Sequence, residues 1–66
     1  MDFIKNGSRI ETVFDDKVIT GTVLESRLYF DTLKYTVLLD EPIKYRWTAG
    51  LVDKLIVSQY NITEIV

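Results

Sequence analysis

The sequence predicts an all-β fold built as one small domain. Three observations carry that expectation. Val, Ile, Thr, Tyr and Phe, which fit a pleated and half-buried surface, recur throughout the 66 residues. They fall in short alternating runs rather than at helical spacing. Polar or glycine-containing breaks at Asp15-Asp16-Lys17, Asp40-Glu41-Pro42 and Thr48-Ala49-Gly50 separate those runs.

Each element follows from its own pattern. Residues 1–6 read as a short N-terminal tail. From Ser8 to Phe14, Ile10, Thr12 and Phe14 share one face, opposite Arg9, Glu11 and Val13. Such period-two alternation predicts a strand with one buried face. Asp15-Asp16-Lys17 predicts a tight turn. The run Val18–Glu25 predicts a second strand with Ile19, Gly21 and Val23 on one face. A glycine inside a strand signals a bend, a bulge or a close backbone approach. Ser26 to Lys34 reads as the first longer connection.

The third strand is expected at Tyr35–Leu39, with Tyr35, Val37 and Leu39 inward. Pro42 lacks the N–H that a central ladder needs, so the strand is expected to end or bend at Asp40-Glu41-Pro42. Leu51–Ser58 admits two readings. As a strand, Leu51, Asp53, Leu55 and Val57 share a face; as a helix, Leu51, Val52, Leu55, Ile56 and Tyr60 form an apolar stripe. The β-branched pair Ile56-Val57, and Gly50 and Ser58 on either side, favour the strand. Gln59-Tyr60-Asn61 predicts a single 3₁₀ turn before a last strand at Ile62–Val66, with Ile62 and Ile65 inward.

Five short strands with a 3₁₀ turn before the last resemble an SH3-like small β-barrel. Gly7-Ser8-Arg9-Ile10 is similar to the Gly-x-x-Val opening of that fold's first strand, and Gly21-Thr22-Val23 to the glycine-x-valine of its second. Tyr35 to Asp40 looks like the third strand of KOW- and Tudor-like barrels, and Asn61-Ile62-Thr63-Glu64-Ile65 like their closing turn and strand. The resemblance implies a five-stranded barrel over most of residues 7–66. It implies no single function, because the fold hosts many. One relative of this shape, the trimethoprim-insensitive dihydrofolate reductase, uses Gln-Ile-Tyr on its penultimate strand. The matching place here is Leu55-Ile56-Val57, so reductase activity is not carried over.

Composition narrows the chemistry further. The chain has no histidine and no cysteine, which removes the usual general base, the thiol nucleophile and the standard zinc ligands. Ser8, Ser26 and Ser58 have no histidine to activate them. Asp15-Asp16 and Asp40-Glu41 are paired carboxylates that read as solvated turns. The three glycines lie too far apart to form a phosphate loop. No catalytic residue, metal site or cofactor is expected. The opening residues lack the long apolar segment and cleavage site of a signal peptide, and no run reaches the ~20 apolar residues of a membrane span. A cytoplasmic location is expected.

The functional signal is aromatic. Tyr29, Phe30, Tyr35, Tyr45 and Trp47 lie close together in sequence, interleaved with Arg27, Lys34, Lys44 and Arg46. Tyr35 is expected in the core. Tyr29, Phe30, Tyr45, Arg46 and Trp47 are the candidate partner-binding residues, because aromatic and arginine side chains dominate interface hot spots. Phe30 and Trp47 serve equally well as plugs of a barrel end. Leu24, Leu38 and Ile56 fall on the outer strand faces, which suits either self-association or scattered surface hydrophobes.

The expectation is a non-enzymatic protein-interaction module, an accessory or inhibitory protein that occupies a partner's surface. An RNA- or single-strand-binding barrel is the alternative. It needs Arg27, Lys34, Lys44 and Arg46 on one face to offset a net charge of −2. Small-molecule binding in the pore of a homo-oligomer is a third reading.

Overall fold

The computed structural model describes residues 3–44 and 49–66. They form five antiparallel strands in one sheet: β1 Arg9–Phe14, β2 Lys17–Tyr29, β3 Thr32–Ile43, β4 Val52–Ser58 and β5 Ile62–Ile65. A 3₁₀ turn over Gln59–Asn61 joins β4 to β5. The spatial order is β4-β3-β2-β1-β5. Among the described residues no ladder joins β4 to β5, so the sheet is open at both edges. No described helix is long and apolar enough to cross a membrane.

The core lies on one face of this sheet. Ile10, Val23, Leu33, Tyr35, Val37, Leu39, Leu55 and Val57 are buried there, and each sits on the inward side of its strand. Register sets that selection, because directly opposed residues share a face: Val23 faces Val37, Val37 faces Leu55, and Tyr35 faces Val57. Thr12 is also fully buried, and its hydroxyl donates to the carbonyl oxygen of Asn61 at 2.7 Å. Ile62 lies opposite Thr12 and packs on the core. Ile65 lies opposite Ile10 yet is exposed, since β5 is an edge strand with no described neighbour beyond it.

Two turns depart from ordinary backbone. Asp15 and Asp16 both have positive φ, 51° and 62°, and link β1 to β2. A two-residue hairpin turn with both central residues left-handed matches strand twist, and aspartate tolerates it better than most side chains. Gly21 meets a different constraint. A Cβ there would stand 2.5 Å from the Leu38 carbonyl oxygen and 2.6 Å from Val37 Cγ1. Close approach of β3 therefore requires glycine at this point of β2.

Two expected boundaries are corrected. The long connection expected over Ser26–Lys34 is instead a two-residue turn at Phe30-Asp31, and β2 runs 13 residues to reach it. A register shift between Val23 and Glu25 places Leu24 as an extra residue, which breaks the alternation and hides the strand's continuation. No glycine or proline marks the turn. β3 likewise runs from Thr32 through Pro42 to Ile43, beyond the expected end at Leu39. Pro42 is tolerated because the β2 ladder stops at Leu39 and the β4 register breaks between Leu38 and Ile43. The segment Leu51–Ser58 resolves in favour of the strand, with β4 over Val52–Ser58.

Candidate functional site

Beyond Leu24 the β2–β3 hairpin projects past the end of β1, and Arg27, Tyr29, Phe30 and Lys34 gather there. Tyr29 and Thr32 flank the turn, with Phe30 and Asp31 at its tip. Phe30 has φ 56° and is 99% exposed, so it plugs nothing. Tyr29 is 48% exposed and lies beneath the Lys34 ammonium, 5.5 Å from the ring centroid. That separation allows a cation–π contact. Leu28, which sequence reasoning missed, is 61% exposed although its cross-strand partner Leu33 is buried.

Arg27 and Lys34 are directly opposed across the hairpin. Like charges in that arrangement destabilise a strand pair. Arg27 pairs with Glu25 on its own strand at 3.3 Å, whereas Lys34 makes no ion pair among the described residues. Lys44 follows the far end of β3, roughly 30 Å along the strand at its usual rise, and does not join them. Tyr45, Arg46 and Trp47 lie outside the described residues.

Leu24, Leu38 and Ile56 are exposed on the solvent side of β2, β3 and β4, as the alternation predicts. Ile56 is opposite Thr36, and Leu38 lies between Thr22 and Lys54. Across β2–β4 this side carries Arg27, Lys34 and Lys54 against Glu25 and Asp40, the latter already paired with Arg9 of β1, in a chain whose net charge is −2. The hairpin side is thus locally basic within an acidic molecule.

The remaining polar features are structural. Arg9 on β1 holds the carboxylate of Asp40 on β3 with its two terminal guanidinium nitrogens, and Thr20 on β2 donates to the same carboxylate at 2.7 Å. These hydrogen bonds, led by that from Arg9, draw the Asp40 pKa down from 3.8 to about 2, while the Arg9 value rises. Asp40 is therefore occupied rather than poised for acid chemistry. A shallow groove of about 430 Å³ lies between β3 and β5, lined by Ile4, Leu33, Tyr35, Gln59 and the β5 strand. Two of its polar groups serve the fold. Gln59 accepts the N–H of Leu33 at 2.8 Å, and the Tyr35 hydroxyl accepts that of Ile4 at 3.3 Å. No group of three or more metal-ligating side chains occurs among the described residues.

Compared with models of protein families, with curated proteins and with solved structures, the chain matches none.

Proposed function

We propose that this protein is a non-enzymatic protein-interaction module, an accessory or inhibitory protein that acts by occupying a partner's surface, with the tip of the β2–β3 hairpin as its anchor. One observation carries the reading: Phe30 is 99% exposed at a backbone position with φ 56°. A left-handed conformation costs an ordinary side chain about 1–2 kcal/mol. Exposed phenylalanine returns nothing to the core in exchange. Folding alone would favour glycine or asparagine at that position. An exposed aromatic ring at the turn, near Tyr29 and Lys34, suits insertion into a pocket on another protein. The absence of histidine and cysteine supports a role without catalysis.

The architecture read into this proposal is an SH3-like barrel. Its support is the strand order, the pairing of β1 with β5, the bulge in β2 and the 3₁₀ turn before β5. A second reading, single-stranded nucleic-acid binding, draws on the adjacent Arg27 and Lys34 beside Tyr29. It is weakened by the distance of Lys44 and by the aliphatic character of Leu24, Leu38 and Ile56, which offer bases no stacking surface.

Phe30→Gly tests the anchor and separates binding from folding. The variant is expected to melt at or above the wild-type temperature, because the left-handed strain is relieved. It is expected to lose a protein captured by the wild type from cell extract. Equal capture by wild type and a folded Phe30→Gly variant would remove the hairpin tip from the interface.

A further inference from the structure

The hairpin also has an unpaired backbone edge. The β1–β2 ladder ends at Arg9 opposite Thr22. One residue on, Gly7 donates to the carbonyl oxygen of Val23 at 2.7 Å, and Val23 donates to that of Ser8 at 2.9 Å. From Glu25 to Tyr29 no described strand lies on that side of β2. The N–H of Leu33 donates to Gln59 rather than across the hairpin. Leu28–Leu33 is therefore a non-hydrogen-bonded pair, and the N–H and C=O of Leu28 point away from β3. Those of Ser26, two residues earlier in the same ladder, point the same way. This edge offers two donors and two acceptors in strand geometry.

We infer that the β2 edge from Glu25 to Tyr29 receives an extended segment of a partner protein as an added strand, with an acidic side chain beside Arg27 and apolar side chains beside Ser26 and Leu28. The inference rests on the reading of the hairpin as the docking element and assigns the chemistry of what docks there. Three features converge on it. The added backbone would satisfy the groups of Ser26 and Leu28, the usual source of affinity when a strand joins a sheet. An acidic residue beside Arg27 would add to Glu25, which already pairs with Arg27, in relieving the opposition of Arg27 and Lys34. An apolar residue on the inward side would cover Leu28, which is 61% exposed beside a buried core. The other edges fit less well. β5 has only four residues, and on β4 no charge lies opposite a like charge of β3 that an added strand could relieve.

The test uses the full chain and a defined probe. The probe is a capped eight-residue peptide alternating valine with threonine, with one central glutamate on the threonine side. Amide NMR titration at low salt is expected to shift the Ser26 and Leu28 resonances and slow their hydrogen exchange. Replacing the glutamate by lysine is expected to weaken binding about tenfold. Ser26→Pro removes an edge N–H that the β3 ladder does not use, and is expected to abolish binding while the hairpin persists. Arg27→Glu keeps every backbone group and is expected to reverse the preference, binding the lysine peptide better. The inference is overturned if millimolar peptide leaves the Ser26 and Leu28 amides unmoved. It is likewise overturned if the shifts map to β4 or β5, if Arg27→Glu leaves the preference unchanged, or if a ten-nucleotide oligothymidylate binds this edge more tightly. Phe30→Gly distinguishes this inference from the anchor reading. Loss of partner capture without any peptide binding to wild type defeats the added strand alone. Peptide binding with partner capture indifferent to Phe30→Gly defeats the anchor alone.

Discussion

A Cβ on Gly21 would stand 2.5 Å from the Leu38 carbonyl oxygen, which belongs to a central strand and cannot rotate aside. Gly21→Ala is therefore expected to destabilise the fold by about 1–3 kcal/mol, through displacement of β3. Gly50→Ala, whose Cβ would meet nothing within 4 Å, is the matched control and is expected to change the urea midpoint little. A shared loss of midpoint in both variants would refute the steric account. Thr12 makes a second residue-scale case. Its buried hydroxyl donates to the Asn61 carbonyl, so it ties β1 to the 3₁₀ turn that starts β5. Thr12→Val keeps the shape and removes the donor, at an expected cost of about 1 kcal/mol in urea unfolding. Gly21 was legible in the sequence as a special position, since a glycine within a β-branched run signals a bend, a bulge or a close approach, and the structure shows the last of these. Thr12 was legible only as an inward position, because its acceptor is far along the chain.

At the scale of elements, Arg9, Thr20 and Asp40 fasten three adjacent strands on the solvent side of the sheet. The Asp40 pKa falls from 3.8 to about 2 on folding. The folded state thus prefers the ionised carboxylate more strongly than the unfolded chain does. That stabilisation is complete above about pH 4 and is lost as pH falls from 3.8 towards 2. Melting temperature measured between pH 6 and pH 2 is expected to fall less steeply in Asp40→Asn than in wild type across that window. Parallel curves would show that the cluster does not respond to acid. No sequence pattern announces this cluster, because strand register and not spacing brings Arg9 to Asp40. The hairpin was hidden for a related reason. The extra residue at Leu24 inverts the alternation, so Arg27, Leu28 and Tyr29 read as part of a longer connection although they continue β2. Arg27, Tyr29, Phe30 and Lys34 were visible in sequence; their placement on a projecting hairpin was not.

At the scale of the molecule, one small core must hold five strands. The all-β class and most inward positions followed from alternation, because a one-faced sheet writes its burial directly into a period of two; β4 followed instead from the β-branched Ile56-Val57 between Gly50 and Ser58, since Leu51–Ser58 also fits a helical stripe. The order β4-β3-β2-β1-β5 did not follow, since pairing of β1 with β5 depends on the whole chain closing back on itself. Tyr35 is the residue on which that arrangement leans most. Its ring is buried to 1% exposure, opposite Val57, and its hydroxyl accepts the N–H of Ile4 from the N-terminal segment. Removing a buried aromatic side chain costs about 3–5 kcal/mol. A core in a domain of this length rarely supplies more than about 3–5 kcal/mol in total. Tyr35→Ala is therefore expected to be largely unfolded at 25 °C, with collapsed amide dispersion in the NMR spectrum. Tyr35→Phe keeps the ring and loses only the acceptor, so it is expected to remain folded and to cost about 1 kcal/mol. Its added effect is expected to be local, with faster hydrogen exchange at the Ile4 amide and unchanged exchange at Val37. A folded, cooperative Tyr35→Ala variant would show that the sheet draws its stability from elsewhere than this core.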